Sequence, residues 1–302
     1  MEKKIIVLAI TTIFSSFGWA QSESEGTYQY EVGALYSKTT DVSGLSNSLS
    51  GVGGNYYFKP VQLNVDEPAF EHEFVQRVSN IGLQYGSGNL STSSIASTNF
   101  PNFDFNGSFY LGDLIVAIDY TAFSKSFPLK SNTSYAYKIN ETQTSLALGY
   151  FVLPKSSLAL EYTSQNATYS RNTASITSLN DLKNTTTSIV SKTIFDNVAG
   201  AKFIVLNVNA QLLSYQQTSS YTDHAYGFNV SYYPIKNAYA LFGYSTEKGS
   251  DISNIGNEVS AGLGYEITPR FAVSLLGNNF NASNSTAGYN SQSRQALVTY
   301  RF

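Results

Sequence analysis

The sequence predicts an all-β fold, a transmembrane antiparallel up-and-down β-barrel of about fourteen strands, with twelve or sixteen also compatible. Three observations carry this. Apolar and polar residues alternate with period two in segment after segment, as on strands with one face in lipid and the other in water. The chain holds 23 Tyr and 19 Phe, yet charged residues make up only 13%, about half the usual share in soluble domains. No stretch after residue 20 is apolar over the roughly 20 residues that a spanning helix needs. A soluble sandwich would have to pack the apolar faces on each other and leave long edges. Closure in lipid instead pairs every strand.

The first residues set the compartment. Glu2-Lys3-Lys4 precedes the apolar run Ile5 to Phe14, and Gly18 and Ala20 stand at −3 and −1 of a cut before Gln21. These are the parts of a secretory signal peptide. Residues 1–20 are therefore read as signal peptide and 21–302 as a single barrel domain. Removing residues 1–20 takes away Lys3, Lys4 and Glu2, leaving 16 basic and 20 acidic residues and a net charge of −4. That balance argues against nucleic acid as a partner. Cysteine is absent, so stability must come from hydrogen-bond ladders and packing, without disulfides or thiolate metal sites.

The strands follow in order. Tyr28, Tyr30, Val32, Ala34 and Tyr36 form one apolar face, with Gln29, Glu31, Gly33 and Ser37 opposite. Residues 39–47 read as a polar loop, and a Gly-rich return strand runs from Leu49 to Phe58. Pro60 should end that ladder, because proline cannot donate to it. Further outward faces are Ile81-Leu83-Tyr85, Phe103-Phe105-Phe109-Leu111 and Leu114-Val116-Ile118-Tyr120, the last two joined by a Gly112-Asp113 hairpin turn. Then come Thr144-Leu146-Leu148-Tyr150, a turn at Pro154-Lys155, and Leu158-Leu160-Tyr162. Residues 169–184 read as the longest polar loop. Ile189, Thr193 and Phe195 lead through a short Asp196-Asn197 turn to Ile204, Leu206, Val208, Ala210 and Leu212. Tyr226, Phe228, Val230 and Tyr232 turn at Pro234 to Asn237 into Ala240, Phe242 and Tyr244. Val259, Ala261, Leu263 and Tyr265 turn at Thr268-Pro269 into Phe271, Val273 and Leu275. A polar loop, Asn278 to Asn290, precedes the last strand. Short turns alternate with longer loops after Gly112, the barrel layout that puts both termini on the periplasmic side.

One segment departs from this rhythm. Pro60 to Arg77 falls on the side where turns should be short, and it contains Asp66-Glu67-Pro68-Ala69-Phe70-Glu71-His72-Glu73-Phe74. An acidic cap before Pro68 predicts a helical turn beginning at Pro68, with Phe70 and Phe74 on one face. Two placements fit: a folded turn against the barrel rim, or a segment tucked into the lumen.

In the last eight residues Ala296, Val298, Tyr300 and Phe302 share the apolar face. Gln295, Thr299 and Arg301 take the other, with Leu297 an apolar exception. A strand closing on Tyr-x-Phe resembles the C-terminal strand of Gram-negative outer-membrane β-barrels. The resemblance implies that Tyr300 and Phe302 are read by the barrel-assembly machinery. Tyr56-Tyr57-Phe58-Lys59-Pro60, the acidic Pro-Ala-Phe stretch and Arg77-Val78-Ser79 resemble a family of Gram-negative general porins. In that family the corresponding turn reads Pro-Leu-Ala-Glu-Ala-Ala-Phe-Leu before an Arg-x-Ser strand start. Phe70 matches, whereas the alanine-rich centre is here Glu71-His72-Glu73. The Pro-Glu-Phe-Gly-Gly constriction motif of trimeric general porins is missing.

Strand parity points Glu31, Asp104, Asp119, Glu161 and Glu258 into the lumen, against Lys192 and Arg301. Charges in a membrane segment are costly unless they face water, and about fourteen strands enclose more space than the eight that side chains fill. These seven are therefore the expected pore-lining residues, with Glu31, Asp119 and Glu161 placed near mid-strand. Internal salt bridges bracing the wall are the bland alternative. The expected function is passive diffusion of small hydrophilic solutes and ions, with a weak preference for cations. The expected surroundings are outer-membrane lipid and lipopolysaccharide, and an oligomer is possible. A structural or adhesive barrel with partner-binding loops is the runner-up. A fatty-acid channel would need an apolar lumen and an N-terminal hatch, and Tyr28 starts the first strand too early for one. Catalysis is not expected, since only His72 and His224 are available. His224, near Ser219, Ser220 and Asp223, is the one candidate for an outer-membrane hydrolase. No cofactor or metal site is expected.

Overall fold

The alternating apolar residues become the outside of a wall. The computed structural model shows a closed barrel in which each strand pairs antiparallel with its sequence neighbours and β1 pairs with β14. The structure describes residues 26–41, 46–63, 66–91, 98–129, 132–172, 177–216, 220–249, 256–282 and 290–302. The strands are β1 Thr27–Asp41, β2 Ser46–Gln62, β3 Asn80–Ser91, β4 Thr98–Leu111, β5 Leu114–Leu129, β6 Asn132–Leu153 and β7 Ser156–Asn172. They continue with β8 Thr177–Asp196, β9 Phe203–Gln216, β10 Ser220–Ile235, β11 Ala238–Gly249, β12 Gly256–Thr268, β13 Phe271–Ala282 and β14 Ser291–Arg301. That is the fourteen-stranded barrel that the alternation predicts. A four-residue helical turn, α1 His72–Val75, lies between β2 and β3. The signal-peptide reading of residues 1–20 falls outside the described residues.

The outer face carries exposed Leu83, Leu148, Leu160, Leu263 and Leu275. An apolar surface of this extent on a water-soluble monomer would be an aggregation hazard, whereas lipid covers it. Aromatic residues flank the band. Exposed Tyr36, Tyr85, Tyr120 and Tyr162 lie toward its loop end, and Tyr150, Phe195, Tyr265 and Tyr300 toward its turn end, the two interfaces where amphipathic rings prefer to sit.

Five local expectations are corrected. The loops read at residues 39–47 and 169–184 are largely strand among the described residues, and the one read at 278–290 begins as strand through Ala282. β1 runs to Asp41, β7 to Asn172, β8 starts at Thr177 and β13 runs to Ala282. Above the apolar band both strand faces meet water, so no hydrophobic alternation marks these residues, and the ladder hydrogen bonds alone extend them. Pro60 does not end β2. Pairing with β1 lapses between Tyr30↔Tyr56 and Tyr28↔Val61 and then resumes to Thr27↔Gln62, so Pro60 sits in a bulge, where no donor is required. The bulge also turns Tyr28 inward. It is buried against Tyr57, with ring centroids 5.2 Å apart, and does not face lipid. The Asp196-Asn197 turn is longer than read, extending to Lys202, with Asn197 and Ala199 at positive φ. Last, the helical turn begins at His72 instead of Pro68: the Glu71 N–H donates back to the Pro68 carbonyl at 2.9 Å in a tight turn, and the first full helical bond runs from the Val75 N–H to the Glu71 carbonyl at 3.0 Å.

Candidate functional site

The segment from Asp66 to Val78 crosses the bore at the turn end. It leaves β2, and its side chains reach β8, β9 and β10, on the far side of the closed strand order. Phe74 is buried among Phe151, Ile194, Phe203, Val205 and Tyr233, with Phe70 packing beside them. The Phe74 and Phe151 rings lie 5.0 Å apart, and Phe70 meets Tyr239 edge-on at 5.0 Å. Tyr28, Tyr57, Val61, Leu63 and Val78 form a second cluster on the near side. Of the two placements open from sequence, the segment therefore takes the lumen.

Polar contacts fix this plug around its rim. Glu71 pairs with Lys192, Asp66 with Lys202 and Arg77 with Asp113. Lys192 also lies 4.5 Å from the Phe74 ring centre, and the Arg77 guanidinium 4.2 Å from that of Phe151. Arg301 Nη2 donates to the Ala69 carbonyl at 3.2 Å. The Gln76 side-chain amide exchanges two hydrogen bonds with the backbone of Gln62, at 2.8 and 2.9 Å. Beyond α1 the chain ends in a Schellman arrangement. The Val78 N–H donates to the Glu73 carbonyl at 2.9 Å and that of Arg77 to Phe74 at 3.3 Å, with Arg77 at φ 53° where glycine is usual. The two contacts of the Arg77 guanidinium offset a backbone cost of about 1–2 kcal/mol.

Two groups of the plug have displaced proton affinities. Burial, reinforced by Glu71 and partly offset by Lys192, pushes the Glu73 carboxyl up to about 7. Burial, together with the charges of Arg301 and Lys236, pulls His72 down to about 3. His72 is 2% exposed and its Nδ1 makes no hydrogen bond, so it is held as a neutral imidazole.

Above the plug, one sector of the wall is acidic. Asp104 on β4, Asp119 on β5, Glu141 on β6 and Glu161 on β7 all alternate with the exposed apolar residues and so face inward. Asp104 is 5% exposed, and the Asp104, Asp119 and Thr121 side chains hydrogen-bond among themselves. Thr163 donates to Glu161 at 3.3 Å and shares a 2.8 Å hydrogen bond with Ser145. Glu141 accepts from Gln165. A cavity of about 190 Å³ opens here, lined in part by Asn106, Asp119, Ser145, Ala147 and Glu161. The β2–β3 sector is packed instead. A Cβ on Gly82 would lie 1.7 Å from the Asn55 side-chain oxygen, and one on Gly88 would lie 2.0 Å from the Phe100 ring.

The pairings climb as they pass round the wall. From Leu35 through β2 to β7 they lead to Leu182, near the loop end of β8. From Ser37 through β14 to β9 they lead to Ile194, near its turn end. Partners thus drift by about one residue per strand relative to the barrel axis, the stagger that closure of tilted strands requires. Corrected for that drift, Leu35, Gln84, Asp104, Asp119, Glu161, Leu276 and Leu297 share one level of the interior, to within about one residue. The carboxylates occupy β4, β5 and β7, and the leucines lie on β13, β14 and β1.

The other sequence-derived residues fare differently. Glu31 is not at mid-strand. It is the fifth residue of β1, near the turn end, and Arg301 holds it at 2.7 Å. Arg301 also donates to Glu266 at 2.7 Å, and Lys192 is taken by Glu71. Both basic residues are thus tied into ion pairs. Glu258 is half-buried on the inward parity of β12, toward the loop end. Tyr300 points outward, stacked edge-on with Phe302 at 4.7 Å. His224 is exposed on β10, while its neighbour Asp223 is buried on the opposite face, so the two cannot form a dyad. Ser219 lies outside the described residues. Sequence reading missed Glu266, Glu141 and Glu247, although Glu266 shares the parity of Gly262 and Gly264. Glu247 accepts from Tyr215 at 3.2 Å. The plug contacts of Glu71 and Phe74 gave no local signal.

No protein-family model matches this chain, and no curated protein matches it. Solved structures do. The outer membrane protein Omp33 of Acinetobacter baumannii aligns with a TM-score of 0.54 at 18% identity, over 92% of this chain and 100% of that one. The monoaromatic hydrocarbon channel CymD aligns at 0.52 and 11% identity, over 91% and 89%. The toluene transporter TodX of Pseudomonas putida aligns at 0.51 and 11%, over 92% and 89%. At these identities the likeness is one of fold: the chain shares the closed β-barrel fold of these outer-membrane proteins.

Proposed function

We propose that this chain is an outer-membrane pore for passive diffusion of small hydrophilic solutes and ions, weakly selective for cations. The observation that carries the reading is the unbalanced inner wall. Asp104, Asp119, Glu141 and Glu161 face inward on adjacent strands, while the inward Lys192 and Arg301 are paired with Glu71, Glu31 and Glu266. Carboxylates along a wet channel attract cations, and salt screens that field over about 8–10 Å near physiological strength. Reversal potentials of the reconstituted protein across a KCl gradient test this. Cation preference should be clear in dilute salt and fade toward molar salt. Replacing Asp104 and Asp119 by Asn and Glu161 by Gln together should move the potential toward zero. An anion-selective wild type would overturn the reading. The plugged turn end favours a second reading, a structural or adhesive barrel. A folded barrel that passes no ions in planar bilayers would select it.

A further inference from the structure

We propose that the outer face of the seam between β14 and β1 is a binding site for a phosphate-bearing lipid of the outer leaflet. The reading rests on the barrel's place in the outer membrane and not on its conducting. Lys38 on β1 and Arg294 on β14 are both exposed and stand directly opposite each other in the ladder. Opposed side chains have Cβ atoms about 5 Å apart, and like charges held so are destabilising. Among the described residues neither is paired with a carboxylate. Both alternate with the lipid-facing residues of their strands. By the stagger of the ladder, outward Tyr36, Tyr85, Tyr120, Tyr162 and Tyr244 share one level, to within about one residue. Lys38 and Arg294 lie about one to two residues nearer the loop end, roughly 3–5 Å along the axis. Just beyond an aromatic girdle is the height of lipid headgroups, where an outward cation costs little.

Charge is segregated across the wall. Among the described side chains of its loop-end half, Lys38, Lys138, Lys183, Lys248 and Arg294 face outward, while Glu141, Asp223, Glu247 and Glu258 face inward. A second copy of this chain therefore has no described outward carboxylate at this height to meet Lys38 and Arg294. A lipid phosphate answers both, because the Arg294 fork can donate to two of its oxygens and Lys38 adds a point charge. The surface just below is hollow. Ala34, Ala296, Gly277 and Ala261 follow one another on β1, β14, β13 and β12 at one level, where other strands carry Phe105, Leu146 or Phe228. Gly277 is the ladder partner of both Arg294 and Ala261, and a Cβ on it would meet nothing nearer than 3.9 Å. An acyl chain can lie in that hollow while its headgroup phosphate rests on the two cations. The other opposed basic pair, His224 and Lys248 on β10 and β11, stands above Tyr226 and Tyr244 and has no such hollow.

The test uses the full mature barrel in detergent micelles, with bisphosphorylated lipid A as the probe and native mass spectrometry to measure the lipid retained. The wild type should hold lipid A and release the same lipid stripped of its phosphates. Lys38→Gln with Arg294→Gln should weaken retention by roughly tenfold or more. His224→Gln with Lys248→Gln removes as many basic side chains three strands away and should leave retention nearly unchanged. Gly277→Leu fills the hollow and keeps both cations, and it too should weaken retention. Excess inorganic phosphate should not displace the lipid. The shift in gel mobility on boiling shows that each variant is a folded barrel. Equal losses from the two basic pairs, unchanged retention in Gly277→Leu, or displacement by inorganic phosphate would each overturn the proposal. None of these readouts depends on conductance, so a barrel that passes no ions would sink the pore reading and leave the lipid site standing.

Discussion

Arg301 Nε donates to Glu31 Oε2 at 2.7 Å, joining the last strand to the first inside the barrel. Its Nη1 donates to Glu266 on β12 at 2.7 Å, and its guanidinium lies 5.2 Å from the centre of the Tyr28 ring. One cation thus neutralises two buried carboxylates at the seam and carries the Ala69 carbonyl of the plug. Arg301→Gln should destabilise the refolded barrel by about 3–5 kcal/mol, because two buried carboxylates lose their cation. Urea unfolding in detergent measures this. Adding Glu31→Gln and Glu266→Gln should recover part of the loss, whereas no recovery would mean that the pairing is not the source.

Phe74 is the centre of the plug, and Lys192 clamps it by meeting both its ring and Glu71. Phe74→Ala should remove about 3–5 kcal/mol of packing, and this falls on the plug, since the ladders do not depend on it. The barrel should still resist SDS at room temperature and shift in gel mobility on boiling. Single-channel conductance should rise, with more frequent transitions. Lys192→Gln should act in the same direction more weakly. Unchanged conductance in both variants would show that the segment does not control passage.

The wall was legible in the sequence and the bore much less so. Period-two alternation marks each strand wherever one face meets lipid, as from Leu114 to Tyr120 or Leu158 to Tyr162, and that sufficed for strand number and for the inward parity of Asp119 and Glu161. It fails where both faces meet water, which is why the ends of β7 and β8 read as loop. It also fails across a bulge, which reverses Tyr28. The contacts of Phe74 with Phe151 and Phe203, and of Glu71 with Lys192, join residues far apart in sequence with no shared period. The leucine side of the bore was visible only as the misfit of Leu297, whose meaning needs the stagger of the closed ladder.

Acidity should tighten the plug up to a limit set by His72. Glu73 is raised from 4.5 to about 7, so between those values the folded state binds more protons than the unfolded one. Its contribution is fully present below about 4.5 and is lost as pH rises through 7. His72 is lowered from 6.5 to about 3, so its contribution is present above 6.5 and is lost as pH falls toward 3. Raising pH from about 6 to 8 should therefore loosen the plug by ionising Glu73, seen as faster proteolysis near Glu71 or more open-channel time. Glu73→Gln should flatten that rise, and a pH response that persists in this variant would place the titrating group elsewhere.

Phe302 joins the seam in two ways that one substitution separates. Its backbone N–H donates to the Tyr30 carbonyl at 2.9 Å, and its carbonyl accepts from the Gln29 N–H at 3.0 Å. Its ring stacks edge-on against Tyr300 at 4.7 Å, within the aromatic girdle of the turn end. Phe302→Ser keeps both backbone bonds and loses the ring, whose stacking is worth about 1 kcal/mol. Against a barrel closed by a full ladder, that loss should barely change refolding into detergent micelles. If the ring is also what the assembly machinery reads, as the resemblance of the Tyr-x-Phe ending implies, the variant should behave differently in the cell. The amount in the outer membrane should fall several-fold, and degraded periplasmic material should rise. Tyr300→Ser removes the same stacking from the other partner and leaves Phe302 in place, so it controls for packing alone. Equal losses in micelles and in cells, for both variants, would reduce Phe302 to a packing residue of the seam.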